Sequence, residues 1–113
     1  MRISLGFEPM IADVVVAAIT PDALGEALPA VHRAGLGHTA RLMRAERGDP
    51  RGQLRRAGIP VESGPARLAS EGCLLTVAAA ARSQAAASLL LRHGASAVWI
   101  VSPAGFWRNV DDG

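Results

Sequence analysis

Two stretches of this chain can be laid over one another: VVVAAITPDALGEALPAVHRAGLGHTARLM and LLTVAAAARSQAAASLLLRHGASAVWIV. Each runs through an apolar segment, a small polar opening, an amphipathic segment, a basic residue, a glycine and a second apolar segment. Placing Arg33-Ala34-Gly35 on Arg92-His93-Gly94 aligns the two with one constant offset. Identity is low and the agreement lies in the pattern. It predicts a strand–helix–strand unit built twice, as pseudo-repeat halves over residues 14–43 and 73–101. A chain of 113 residues has room for one domain, residues 1–113, and not for two.

Within the first half, Val14 to Ile19 is short, apolar and rich in valine, which suits a buried strand. Thr20 is placed to cap a helix, and Pro21 then takes the first helical position, where its missing N–H costs nothing. Leu24, Ala27, Leu28 and Val31 recur at three- and four-residue spacing and make one apolar stripe. Pro29 is the misfit: it removes a bond to the Gly25 carbonyl, and predicts a kink or an irregular last turn. Gly35 and Gly37 stop the helix, and His38 to Met43 follows as a strand. In the second half, Cys73 to Ala79 is the strand. Ala81 to Arg92 is the helix, burying Ala86, Leu89 and Leu90. Gly94 stops it, and Ala97 to Val101 is the last strand, closed by Ser102-Pro103.

Two such units in tandem predict an α+β fold, a ferredoxin-like sandwich: a four-stranded antiparallel sheet with both helices on one face. A small doubly wound α/β fold is the alternative. The strands, however, are apolar at successive positions. Val14, Val16, Leu74, Trp99 and Val101 cannot share the helix side with Val15, Leu75, Val98 and Ile100, and strands apolar on both faces need both faces covered. The expected cover is a homodimer through the open sheet face, or the chain's own ends, with Phe7, Met10 and Phe106-Trp107 as candidates.

Between the halves lies a connection rich in arginine, glycine and proline, Ala45 to Gly72, broken by Pro50, Pro60 and Pro65. Gln53 to Ala57 and Pro65 to Ser70 suit short helical turns. The stretch RLMRAERGDPRGQLRR leads into it and carries Arg41, Arg44, Arg47, Arg51, Arg55 and Arg56 against Glu46 and Asp49. These arginines are candidate anion contacts, since guanidinium groups grip phosphate without reading bases. The stretch has no aromatic residue to stack on a base. Solvated arginines pairing with Glu46, Asp49 and Glu62 are therefore the first reading, and nucleic-acid binding the alternative. A formal charge of only +2 agrees with that order.

Other chemistries find little to build on. AGLGH, at Ala34 to His38, follows a helix where a phosphate-binding turn must follow a strand. GDPRG lacks the lysine and hydroxyl of a P-loop. His32 and His93 sit near helix ends, where the dipole favours a cation. His38 and Glu62 are the candidate residues for a small-molecule site in the cleft between connection and sheet. No metal set, cofactor or catalytic residue is expected. Cys73, the one cysteine, opens a core strand and reads as a buried, inert thiol. No run is long enough to cross a bilayer, and MRISLGFEPM lacks the apolar core of a signal peptide. A cytoplasmic protein with no membrane partner is expected.

From AGIPVES (Ala57 to Ser63), through a small segment ending in Glu71-Gly72, to RHGA (Arg92 to Ala95) before the last strand, the chain resembles the general stress protein 17M type of domain, found in short bacterial proteins. The resemblance mainly spans Gly58 to Val101. It implies a small α/β fold of duplicated halves and no catalytic motif. That family's small helix usually carries acidic and tyrosine residues, where this chain has Ala66, Arg67, Leu68 and Ala69. The function expected is that of a non-enzymatic, dimeric, stress-related or regulatory domain.

Overall fold

The computed structural model describes residues 13–36, 39–44, 50–56, 58 and 59, 73–79 and 82–110. In chain order its elements are β1 (Val14–Ile19), α1 (Pro21–Arg33), β2 (Ala40–Arg44), α2 (Pro50–Arg56), β3 (Cys73–Ala78), α3 (Ser83–Arg92), β4 (Ala97–Val101) and β5 (Trp107–Val110). The five strands form one sheet in the order β2-β3-β1-β4-β5. Every neighbouring pair is antiparallel. The fold is therefore α+β, and the doubly wound alternative, which needs parallel strands, is excluded.

Four of these strands were expected and the fifth was not. Ser102-Pro103 does close β4, but it does so as a hairpin. Gly105 donates to the Ser102 carbonyl at 2.9 Å, as in a turn with proline at its second position. Gly105 itself takes φ +95°. This is the three-residue hairpin loop with glycine in the left-handed position. Trp107 thereby pairs with Val101 and Val110 with Val98.

The β1 register explains the apolar strands. Val15, Ala17 and Ile19 join Leu75, Val77, Val98 and Ile100 in a core closed by Leu24, Ala27 and Val31 of α1 and Ala86, Ala87 and Leu90 of α3. The alternate residues Val14, Val16 and Ala18 join Leu74, Ala97, Trp99 and Val101 in a second core on the other side. That side is closed by the same chain. Leu54 of α2 is completely buried there and Ile59 nearly so, with Trp107 packed against the cluster. The face expected to be open is thus internal, and its described cover comes from the connection and β5. Phe106 is 75% exposed and covers nothing; Phe7 and Met10 lie outside the described residues.

The helix boundaries have local causes. Thr20 Oγ1 accepts from Ala23 N at 3.3 Å, and Pro21 follows at the first helical position. Pro29 does not end α1, which continues to Arg33. α3 begins at Ser83, two residues later than expected.

The three described helices close in one way. Leu36 N donates to Val31 O and Gly35 N to His32 O. Ile59 N donates to Leu54 O and Gly58 N to Arg55 O; Ala95 N donates to Leu90 O and Gly94 N to Leu91 O. Each is the paired bonding of a Schellman turn, with a left-handed glycine and an apolar contact across the turn. The sequences VHRAGL, LRRAGI and LLRHGA share that plan. Gly37, expected as a second stop for α1, lies outside the described residues.

Candidate functional site

The arginine-rich stretch is not a loop. Its beginning forms β2, which is an outer strand of the sheet, and its end forms α2, which packs beside β2. The register sets the two sides of this edge. Arg41 lies opposite Thr76, on the side of Val16 and Trp99. Leu42 lies opposite Leu75, on the side of α1 and α3. Arg41 is exposed, and Leu42 remains 39% exposed, so an apolar side chain stands on the rim of the sheet. Thr76, one of two buried polar residues among the described ones, donates its hydroxyl to the Arg41 carbonyl at 3.4 Å and ties β2 to β3.

α2 brings further charge to the Arg41 side. Leu54 and Ile59 plug its turn into the second core, and this leaves Arg55 and Arg56 exposed in the last turn. Three of the six candidate arginines are exposed, Arg41 on β2 and Arg55 and Arg56 in the last turn of α2. Arg44 pairs with Cys73 in the ladder, and Arg51 lies in the first turn of α2. Arg47, His38 and Glu62 lie outside the described residues.

Other candidates take structural positions. Cys73 is buried in β3 opposite Ile19, as a free thiol in the helix-side core. His32 is exposed in the last turn of α1, and His93 is the half-buried cap of α3. Trp99, the one aromatic residue expected on the sheet, is 3% exposed. It meets Trp107 edge to face, with ring centroids 6.2 Å apart. Among the described residues no cluster of three or more His, Cys, Asp or Glu could hold a metal ion, and no helix is long and apolar enough to cross a membrane.

Leu42 fell within the strand expected at His38 to Met43, observed as Ala40–Arg44, but was not among the candidate site residues. The period-two placement of Arg41 and Leu42 is the signal that marks the two sides of a strand. No family model, no curated protein and no solved structure matches the chain.

Proposed function

We propose that this protein is a non-enzymatic binding domain of ferredoxin-like build, made of two duplicated halves and extended at one edge by β5. The strand order β2-β3-β1-β4 with alternating direction, and α1 and α3 on one face, support that build. The matching Schellman turns after α1 and α3 support the duplication. The resemblance to the general stress protein 17M type fits the same reading, with a stress-related or regulatory role. The residues that carry it have structural work here: Gly58-Ile59 ends α2 and fills the second core, and RHGA is the turn from α3 to β4.

One observation carries the binding reading. The sheet face free of α1 and α3, which would floor a ligand site or offer aromatic rings to RNA bases, is filled by Leu54, Ile59 and Trp107. What the chain offers outward is an edge, not that face. A homodimer through that face is disfavoured on the same ground, because its apolar residues are already buried in one chain.

Native mass spectrometry of the protein purified gently from its source tests this reading. A stoichiometric protein partner is the expected result. A stoichiometric small molecule, lost on substitution of His38 or Glu62, would overturn it in favour of a ligand-binding or enzymatic site.

A further inference from the structure

We draw no further inference here: the strongest candidate, the tip of the β4–β5 hairpin where Phe106 stands 75% exposed, is a single apolar side chain of a kind common on protein surfaces, and nothing in the structure shows what covers it.

Discussion

The two faces of the sheet are both dry and are closed in different ways. One lies under α1 and α3, of 13 and 10 residues, whose alanines Ala27, Ala86 and Ala87 let helix backbones come close. Among the described residues the other is closed by α2, of 7 residues, with Ile59 just after it and Trp107. The first cover is a repeating stripe, so losing one side chain leaves a hole in a braced surface. The second depends on a Schellman turn that holds Leu54 against Ile59.

The largest expected effect is on the braced side. Leu90 is fully buried between α3 and the sheet. Leu90→Ala should cost about 4 kcal/mol in urea denaturation, toward the upper part of the range for leucine truncations, because neighbouring elements cannot collapse into the space. A cost near 1 kcal/mol would mean the helix side is looser than its packing implies.

Next comes Gly94. Its φ is +101°, and a Cβ there would lie 2.8 Å from the Ala23 Cβ of α1. Gly94→Ala combines a left-handed penalty with a steric clash, about 3 kcal/mol together. The double substitution with Ala23→Gly should recover only the steric part. Full additivity of the two single costs would show that the close approach is not what constrains the glycine.

Leu54→Ala makes the same chemical change as Leu90→Ala on the other face, at an equally buried residue. A short helix can settle inward, so about 2 kcal/mol is expected. Leu54→Asp should go further and uncover Val16, Leu74 and Trp99. Dye binding and concentration-dependent association, seen by sedimentation and absent from the parent, are its expected signs. A Leu54→Ala cost equal to that of Leu90→Ala would erase the distinction between the faces. A change below about 0.5 kcal/mol would mean that α2 does not close its face in solution.

The same contrast accounts for what the sequence made legible. Val14–Ile19 and Ala97–Val101 stand out because continuous apolar runs rich in β-branched residues mark strands buried on both sides. α1 stands out because Thr20, Pro21 and a three-to-four-residue stripe agree. β5 does not: Trp-Arg-Asn-Val has two exposed polar residues, and only pairing with β4 makes it a strand. α2 was read as a single turn at Gln53 to Ala57, and its one buried leucine has no periodicity to announce it. The signal present was LRRAGI, which copies VHRAGL. For the candidate site, the arginines were visible and their division between the two sides of β2, Arg41 on one and Arg44 with Leu42 on the other, was not, because that follows from the pairing of β2 with β3.

The smallest effect concerns that shared turn. Gly35, Gly58 and Gly94 all have positive φ, yet their surroundings differ. A Cβ at Gly58 would meet nothing within 4 Å, and one at Gly35 only the flexible end of Arg82, at 3.8 Å. Gly58→Ala should therefore carry the conformational penalty alone, partly offset by a stiffer unfolded chain, for a net cost of about 1 kcal/mol. Gly35→Ala should behave the same way. The turn is local, but at Gly58 it positions Ile59, so the substitution should also loosen the cover of the second face. Trp99 is the probe: its fluorescence should become more accessible to a neutral quencher in Gly58→Ala and stay shielded in Gly35→Ala. Equal quenching in the two variants would show that the second face does not depend on the turn after α2.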